Sequence, residues 1–459
     1  MRRTAVFPLD DLVFWKKQLL YWAAGHAMAV CLDSNGHGHS EAVTLSHRLT
    51  TNHLATGSWE NLAAAGAVAV LECNAGRAFS RLESFRKETA GDWLFGFFGY
   101  DLKNETERLS SAHFDGIGLP DLCFFQPQTV AGIRKKTAGD QAFLLEIQTV
   151  DRNPEAVFLE IAAAKKPEHS AAVPAKIHLK PRTPLSEYLQ TVEAIRRHII
   201  EGDVYEMNLC QEFYAENAVV DPVEVFERLN GIGLSPFATF MRLRDRYLLS
   251  ASPERFLKKE GPKLISQPIK GTRRRGKTDE EDAAIKAELA GSIKDRAENV
   301  MIVDLVRNDL ARNCRPGSVR VDELFGIYTF ETVHQMISTV SGILKNDLFN
   351  DGNDSRTLFA LRDAFPPGSM TGAPKVMAMN LIEKYEHTRR GLYSGAVGYF
   401  APGGDFDFNV VIRSVLYNAA DRYTSVQVGG AIVFDSEAEK EYEECLIKAE
   451  AMLRALGGP

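Results

Sequence analysis

Short apolar runs separated by turn residues fill the first third of the chain. Stretches such as HAMAVCLDSNGHG, AVAVLECNAG and QAFLLEIQTV combine strand-forming residues with Gly, Asn and Asp, a pattern that favours β-strands joined by turns. Periodic apolar positions predict helices at roughly 9–22 and 153–165. The stretch AKKPEHSAAVPAKIHLKPRTP is rich in proline and has no periodicity, so we predict a linker there.

Helical and extended patterns come in blocks after the linker. An amphipathic pattern predicts a helix that Ser186 caps and Gly202 ends. Further periodic segments predict helices near 221–230, 279–312, 356–364, 374–386 and 436–456. Because the strands come in runs rather than alternating strictly with helices, we expect an α+β fold with antiparallel sheets.

Composition narrows the class of protein. The chain of 459 residues has a formal net charge of −7, which argues against a nucleic-acid binder, and the basic run at 273–277 is followed by acidic residues that cancel its charge. The six cysteines form no C-x-x-C pair, as expected for free thiols in a reducing compartment. No apolar run has the quality of a signal peptide or the length of a membrane span, so we expect a cytoplasmic protein with no membrane partner.

The last predicted helix carries charged residues beside its apolar stripe. Ser436 and Glu439 have the spacing of a capping box. At about 100° per residue, Glu441, Glu444 and Lys448 fall within about 60° of one another along one margin of the stripe. They form either a solvated ion pair or part of a site at the edge of the buried face.

A second acidic pair lies in GSIKDRAENVMIVDLVRNDLARN. Asp295 and Glu298 are i,i+3 neighbours, and the segment from Val300 to Val306 is apolar on nearly every side, which predicts a buried helix. Two acidic pairs without a His/Cys cluster would suit a hard cation such as Mg²⁺, with substrate oxygens completing its shell. The alternative is a structural network of ion pairs.

Two further segments carry candidate ligand contacts. FPPGSMTGAPK resembles a phosphate loop but lacks its pattern, and a turn entering a helix explains it. Gly429 and Gly430 interrupt a strand pattern, which indicates a bulge or a close approach by a ligand. Arg413 lies in an apolar strand pattern, either as a buried ion-pair partner or as a clamp for a carboxylate ligand.

Together these stretches resemble a known family. GDVYEMNLCQEF, SASPERFL, QPIKGTRRRG, KDRAENVMIVDLVRNDLAR, FPPGSMTGAPK, SGAVGYF, IRS and EYEECLIKAEAML occur in the order found in chorismate-utilising enzymes. That family comprises anthranilate synthase component I, aminodeoxychorismate synthase component I, isochorismate synthase and salicylate synthase. The resemblance implies two large antiparallel β-sheets packed as a sandwich with helices outside. It also implies an N-terminal region (1–165) interleaved with the main fold, a linker (166–182) and a chorismate-binding catalytic region (183–456).

The resemblance also assigns site residues. Mg²⁺ would bridge the acidic pairs and the ring carboxylate of chorismate, with Glu298 and Glu444 as direct ligands and Asp295 and Glu441 acting through water. It implies that His334 lies beside the reacting ring. The substrate-contacting residues that it implies are Gly271, Thr272, Tyr399, Arg413, Gly429, Gly430, Ala431 and Lys448.

Lys270 selects a reaction within the family. Anthranilate synthases carry PIAGT where this chain has PIKGT, the form associated with aminodeoxychorismate synthase. A lysine beside guanidinium groups or in a desolvated pocket has a lowered pKa and can act as a nucleophile. The resemblance implies that Lys270 adds to C2 of chorismate while Glu254 assists loss of the C4 hydroxyl. Ammonia then adds at C4, which gives 4-amino-4-deoxychorismate, a precursor of p-aminobenzoate and folate.

Other features bear on the nucleophile, the partners and the alternatives. Isochorismate and salicylate synthases have a water-activating lysine where this chain has Glu206, whereas most amine-adding relatives have glutamine. The expected partner is a separate glutamine amidotransferase subunit that delivers ammonia. The alternative activities are anthranilate synthase component I and, more distantly, isochorismate synthase. Leu32, Asp33 and Ser34 match the region where some relatives bind tryptophan.

Overall fold

Twenty β-strands join into one antiparallel hydrogen-bonded network in the computed structural model, which describes residues 2–37, 59–136, 142–167, 176–345 and 355–458. The strands are β1 (Arg3–Leu9), β2 (Met28–Asp33), β3 (Asn61–Cys73), β4 (Leu94–Phe98), β5 (Leu122–Lys135), β6 (Phe143–Thr149), β7 (Lys180–Pro181), β8 (Glu206–Ala215), β9 (Phe237–Leu243), β10 (Arg246–Ser252), β11 (Arg255–Glu260), β12 (Lys263–Gln267), β13 (Ile269–Arg274), β14 (Arg320–Thr329), β15 (Val333–Ile343), β16 (Gly372–Ala373), β17 (Ala396–Phe400), β18 (Phe406–Val410), β19 (Ser414–Asn418) and β20 (Tyr423–Ile432).

The network has two halves. One half runs in the order β1-β6-β5-β3-β2-β9-β10-β19-β20-β8, with the short strands β7 and β16 paired to β8. The other half runs in the order β4-β17-β18-β11-β12-β15, with β13 and β14 also paired to β15. Strand β5 connects the halves, because its first residues pair with β4 and its last residues pair with β6.

The two halves pack face to face as a sandwich. Val30 of β2, Met241 of β9 and Leu416 of β19 belong to one half, and they share a buried cluster with Phe97 of β4 and Val397 of β17 from the other. Apolar side chains on the inner faces of two sheets produce this arrangement. The predicted α+β sandwich is therefore confirmed, with the addition that hydrogen bonds run continuously from one sheet into the other.

Helices cover the outer faces of the sandwich. One outer cluster includes side chains of the first, fifth, sixth and last helices, and another includes side chains of the second, eighth and ninth. The helices are α1 (Leu12–Ala24), α2 (Ala78–Glu88), α3 (Lys103–Thr106), α4 (Pro154–Ala162), α5 (Leu185–Glu201), α6 (Pro222–Gly233), α7 (Asp279–Gly291), α8 (Ile293–Asn313), α9 (Ser355–Ala364), α10 (Lys375–Tyr385) and α11 (Ala438–Ala455). Every helix predicted from periodicity is present.

Two helix ends differ from the prediction. Pro184 rather than Ser186 precedes the first turn of α5, whereas Gly202 ends the helix with a φ of 86°, as predicted. At α11 the predicted capping box does not form, because Glu437 occupies the cap position and the Ser436 hydroxyl bonds to Glu441 instead.

The helix predicted over 279–312 is in fact two helices. The backbone of Ser292 is extended (φ −66°, ψ 112°), so α7 ends there, and the Ser292 Oγ caps α8 by accepting a bond from the backbone N–H of Asp295. The predicted burial of α8 on all sides is wrong: Val300 is 46% exposed, and α8 buries the side that carries Ile302 and Val306.

The N-terminal residues pair with strands of the later region. β2 pairs with β9 over six residue pairs, and β4 pairs with β17 over five. Part of the predicted linker is also attached to the main fold, because β7 pairs with β8 and the Ile177 N–H donates to the Leu456 carbonyl. The domain boundaries themselves stay a prediction.

Two general expectations can be compared with the structure. All six cysteines are free and buried, as predicted. Among the helices of the described residues, none combines the length and the apolar character that crossing a membrane requires.

Candidate active site

A cavity of about 830 Å³ collects most of the predicted site residues. Its walls come from β8, β13, the first turns of α8, the bend before β19, β20 and α11. These elements are far apart in sequence, and the antiparallel network brings them together. The predicted residues that line the cavity are Glu254, Lys270, Gly271, Thr272, Asp295, Glu298, Arg413, Gly429, Ala431, Glu441, Glu444 and Lys448.

Lys270 lies on β13 with its amine inside the cavity wall. Its Nζ donates a hydrogen bond of 2.6 Å to Oε1 of Glu206 on β8, and its side chain is 11% exposed. Burial disfavours the charged amine, but the negative charges of Glu206, Glu298 and Glu254 outweigh it and raise the pKa of Lys270. The predicted lowering of this pKa is therefore wrong, because the cavity surrounds the amine with carboxylates rather than with guanidinium groups.

A bulge in β13 places consecutive residues on the cavity. The pairing of β13 with β15 shifts register between Ile269 and Thr272, so the strand does not alternate faces regularly there. Gly271 has a φ of +91°, and a Cβ at this position would lie 3.0 Å from Oδ1 of Asp295. Glycine is therefore required both by the backbone and by the close approach of α8.

Glu254 lies between β10 and β11 and is 5% exposed. Burial raises the pKa of this carboxyl to about 7, although a hydrogen bond with Ser369 and the charge of Lys270 oppose the shift. A carboxyl with such a pKa exchanges protons readily near neutral pH, as an acid–base residue must.

Four carboxylates face the cavity from two helices. Asp295 and Glu298 lie in the first part of α8, and Glu441 and Glu444 lie on α11. Asp295 is bonded to Arg273 at 2.8 Å, and Glu444 to Lys448 at 2.6 Å. The sequence spacing thus located both acidic pairs correctly, and tertiary packing places them around one cavity.

Glu441 is held in place by the residue that was expected to cap its helix. The Ser436 hydroxyl donates to Oε1 of Glu441 at 2.7 Å, whereas Oε2 is buried and has no hydrogen-bond partner. Burial also raises the pKa of Glu441. An unpaired buried carboxylate oxygen is costly, so this atom is suited to a cation or a cation-bound water.

The carboxylates fit the predicted magnesium ion in chemistry. The donors are all oxygen atoms, and burial together with neighbouring negative charge raises the pKa of Glu298 to about 7, which a cation would reverse. Within the described ranges, only His198, Glu201 and Asp203 bring three possible ligand atoms within 4.8 Å of one another, and they lie outside the cavity. No three of the four cavity carboxylates bring their oxygen atoms that close together.

Arg413 and a tyrosine also line the cavity, and the tyrosine is not the predicted one. Tyr393 lines the cavity and is close enough to Arg413 to influence its charge, whereas Tyr399 does not line the cavity. Tyr399 packs against Trp93 and Phe95, with ring centroids 5.6 and 5.7 Å away. The prediction for Tyr399 is wrong because β17 directs that residue to the other side of the sheet. Tyr393, in the turn before β17, lines the cavity near Arg413 instead.

Arg413 also differs in its local structure from the prediction. It lies in the bend between β18 and β19 rather than within a strand, and its φ is 53°, a value that side chains with a Cβ rarely adopt. Its Nη1 donates to the carbonyl of Lys448 at 2.9 Å. The strained backbone and this bond fix the guanidinium at the cavity wall, as is typical of functional sites.

The paired glycines of β20 let α11 approach the strand. A Cβ on Gly430 would lie 3.0 Å from Oε2 of Glu441. The Gly429 carbonyl accepts a hydrogen bond of 2.7 Å from Nζ of Lys448. The predicted close approach at these glycines is therefore real, and at Gly430 it is made by the Glu441 carboxylate.

His334 does not reach the cavity. Its neighbours Val333 and Gln335 line the cavity, and strand alternation turns His334 to the opposite face of β15. Its side chain is fully buried, with Nδ1 2.9 Å from Thr329 Oγ1 and Nε2 2.9 Å from Asp282 Oδ1. The structure thus contradicts its predicted place beside the reacting ring.

The three residues predicted to contact tryptophan line a separate, smaller cavity together with Trp59 and Tyr399. Ser34 donates to Glu60, and Asp33 is paired with Lys16 at 2.8 Å. Tryptophan binding by Leu32, Asp33 and Ser34 stays a prediction.

Comparison with known proteins places these features in a family. The sequence profile described as chorismate binding enzyme matches residues 29–454. An aminodeoxychorismate synthase from Streptomyces pristinaespiralis is 45% identical over 276 residues, which cover 60% of this chain but only 37% of that protein. Aminodeoxychorismate synthase component 1 of Bacillus subtilis is 35% identical over 379 residues, with 79% of this chain and 76% of that protein covered.

Two anthranilate synthases are also similar to this chain. Anthranilate synthase component 1 of Mycolicibacterium smegmatis is 35% identical, with 79% of this chain and 71% of that protein covered. The crystal structure of anthranilate synthase component I from Streptococcus pneumoniae aligns with a TM-score of 0.73 at 26% identity, over 90% of this chain and 95% of that one.

Proposed function

Because the chain belongs to the family of chorismate-binding enzymes, we propose that it acts as an aminodeoxychorismate synthase component I. It would convert chorismate and ammonia to 4-amino-4-deoxychorismate and water. The observation that carries this proposal is Lys270, whose amine lies in the cavity wall between Glu206 and Glu254. An amine at this position can act as a nucleophile once Glu254 has taken its proton, and the names of the relatives support the same reaction.

Chorismate would bind in the cavity of about 830 Å³, which both acidic and basic side chains line. Arg413, Tyr393 and Lys448 present donors for the carboxylate of the enolpyruvyl group, and backbone groups of β20 lie beside them. Glu298 and Glu444, with Asp295 and Glu441 acting through water, would hold Mg²⁺ at the ring carboxylate. When bound, the cation balances that carboxylate and stabilises the charge that develops as the hydroxyl leaves.

Lys270 forms the first new bond. The amine carries its proton at rest, and Glu254 takes this proton and passes one to the C4 hydroxyl. Nζ then bonds to C2, the ring double bond shifts, and the C4–O bond breaks to release water. In the resting state, Oε1 of Glu206 accepts a hydrogen bond of 2.6 Å from the lysine nitrogen and holds it in place.

Ammonia completes the exchange. Its nitrogen bonds to C4, the double bond shifts back, and the bond between C2 and Nζ breaks with its electrons returning to the lysine. The new C4 ammonium then gives up one proton, which Glu254 returns to Lys270. Chorismate and ammonia are thereby converted to the amino product and water, and each side chain recovers its starting state.

The product suits the synthesis of p-aminobenzoate and folate. We propose that a separate glutamine amidotransferase subunit supplies the ammonia, as the component naming of the Bacillus relative suggests. The free, buried cysteines favour a reducing compartment, so the cytoplasm is the proposed place of the reaction.

Anthranilate synthesis is the second candidate, because anthranilate synthase component 1 of Mycolicibacterium smegmatis has the same sequence identity to this chain as the Bacillus relative. The two reactions differ in the position of amination and in the loss of pyruvate. Incubation with chorismate, Mg²⁺ and ammonium should therefore give 4-amino-4-deoxychorismate by chromatography and mass spectrometry. Direct appearance of fluorescent anthranilate would favour the second candidate instead.

A lysine substitution tests the proposed nucleophile. We expect Lys270→Ala to lower amino product formation roughly 100-fold or more. Without ammonia, the intact wild-type protein should gain the mass of chorismate less one water, and Lys270→Ala should not. Lys277→Ala is the matched control, since this exposed lysine lies seven residues away and outside the cavity. Normal product formation by Lys270→Ala would refute the assignment.

A further inference from the structure

A buried ion pair lies behind the wall of the large cavity, in the segment between α10 and β17. Glu386 and Arg390 are 4% and 2% exposed, and neither residue lines the cavity. The guanidinium binds the carboxylate through two bonds, with Nε 2.9 Å from Oε2 and Nη2 2.6 Å from Oε1. Such a bidentate pair fixes the orientation of the guanidinium plane as well as its place.

The other donors of Arg390 bind three groups on separate segments. Nη1 donates to the Met370 carbonyl at 2.6 Å and to the Ser394 hydroxyl at 3.3 Å. Nη2 donates to the Asn208 carbonyl of β8 at 3.0 Å. Together with the two bonds to Glu386, these contacts use all five N–H donors that a guanidinium has. Arg390 is therefore completely bonded, and it cannot move without losing contacts to several segments.

One of these segments carries the partner of the acid–base residue. Met370 follows Ser369, and both residues line the cavity. Ser369 in turn makes the hydrogen bond with Glu254 that favours its charged form. Because Arg390 holds the Met370 carbonyl, it fixes the backbone from which Ser369 reaches Glu254.

Tyr393 is held by contacts on both of its sides. Its backbone N–H donates to the Arg390 carbonyl at 3.0 Å, and the next residue, Ser394, accepts from the guanidinium. The Sγ of Cys210 donates to the Tyr393 hydroxyl at 3.8 Å, and the backbone N–H of Cys210 donates to Oε1 of Glu386 at 2.9 Å. Because the hydroxyl accepts the thiol proton, its own O–H remains available to a ligand in the cavity.

Stability alone does not explain a buried ion pair at this place. Removing two charges from water costs free energy, and apolar side chains of similar volume often stabilise a fold equally well or better. Apolar side chains cannot, however, hold carbonyl and hydroxyl groups in fixed directions. The pair therefore contributes the relative positions of the segments that it joins.

We infer that Glu386 and Arg390 are positioning residues that set the geometry of the chorismate site, an inference that rests on the proposed function for the place where chorismate binds. The pair holds the backbone beside Tyr393 and beside Ser369, so one device aligns a substrate donor and the partner of the acid–base residue. Neither charged side chain touches the substrate. A displacement of about 1 Å in such groups can lower a rate about 100-fold.

The test replaces the pair by apolar side chains. We expect Glu386→Leu/Arg390→Met to melt within about 3 °C of wild type. Its second-order rate constant for adduct formation with chorismate, measured by intact mass without ammonia, should fall about 100-fold. Arg182→Met/Glu212→Leu is the matched control, because this pair joins a buried glutamate of β8 to an arginine and lies outside the cavity. Its rate per folded protein should stay within about twofold of wild type.

A second measurement shows whether the pair acts through Tyr393. In the wild-type background, Tyr393→Phe should raise the chorismate concentration for half-maximal adduct formation about tenfold. In the apolar background the same change should raise it less than about twofold, because the hydroxyl is already misplaced. A tenfold effect in both backgrounds would overturn the inference.

Arg390→Lys keeps the test decisive if the apolar variant does not fold. Lysine keeps the charge but has three donors instead of five and no planar fork, so the segments lose their common anchor. We expect this variant to fold and to show the same loss of rate. A wild-type rate per folded protein in the apolar variant, or in Arg390→Lys if that variant alone folds, would overturn the inference.

Calorimetry of chorismate binding in the presence of Mg²⁺ separates the inference from the proposed function. If the wild-type protein binds chorismate but forms neither adduct nor amino product, the proposed function fails. The affinities of the variants for chorismate then still test the positioning role. If the wild-type protein forms the amino product and the variants match it, the inference alone fails.

Discussion

Replacement of Glu254 by glutamine is expected to stabilise the protein above neutral pH while removing its activity. The carboxyl is buried beside Ser369, and its pKa rises from an ordinary 4.5 to about 7 on folding. Between these two pH values the folded chain holds a proton that the unfolded chain has lost. The stability due to this proton is fully present below pH 4.5 and is lost as the pH rises through 7.

The magnitude follows from the size of the shift. A rise from 4.5 to about 7 corresponds to about 3 kcal/mol of free energy of unfolding. Glutamine is the neutral isostere of the protonated carboxyl and can still accept a bond from Ser369, so it avoids this loss. For a chain of 459 residues that unfolds as one unit, 1 kcal/mol corresponds to about 1 °C in melting temperature.

Thermal scanning in metal-free buffers from pH 5 to pH 8 measures the effect. The melting temperature of Glu254→Gln relative to wild type should rise by about 2 to 3 °C across this range. That of the control Glu193→Gln, which changes an exposed glutamate paired with Arg196, should not. Adduct formation by Glu254→Gln should fall by about 10² to 10⁴, because the proton relay to the hydroxyl is lost. If the difference in melting temperature between Glu254→Gln and wild type stayed constant across this pH range, the reasoning would be refuted.

Two further substitutions test other parts of the site. Tyr393→Phe should raise the KM for chorismate roughly tenfold by removing one donor to its carboxylate, and Tyr399→Phe should leave it unchanged. Equal effects of the two changes in steady-state assays would contradict the position assigned to Tyr393. Gly430→Ala would press a methyl group against Glu441. We therefore expect it to raise the Mg²⁺ concentration for half-maximal activity, whereas Gly231→Ala, which meets open space, should not.

Local periodicity was sufficient to find the acidic helix faces. The margin of α11 that carries Glu441, Glu444 and Lys448 does face the cavity, because helical spacing alone decides which side chains point the same way. The meeting of α11 with α8 depends on strand pairing over long sequence distances. The residue pattern alone did not predict that the two helices come together; the family resemblance did.

The errors at the site have a common origin in three-dimensional contacts. Glu206 stands 64 positions before Lys270, so no local pattern reveals the carboxylate that reverses the expected pKa shift. Tyr393 directly precedes the motif SGAVGYF that contains Tyr399, and only the turn before β17 decides which of the two tyrosines faces the cavity. For His334, the strand period of two predicts which neighbours share its face, but not which face is the cavity.

The pairing of N-terminal strands with later ones affects how the chain tolerates substitution. Among the described residues, none of the first 165 lines the large cavity. However, β2 pairs with β9, and β4 pairs with β17. Core substitutions in β2 or β4 would therefore inactivate the enzyme by lowering the amount of folded protein. In a mutational survey scored only by growth, substitutions in these strands would have effects as large as substitutions in the cavity. Measuring the abundance of each folded variant would separate loss of stability from loss of catalysis.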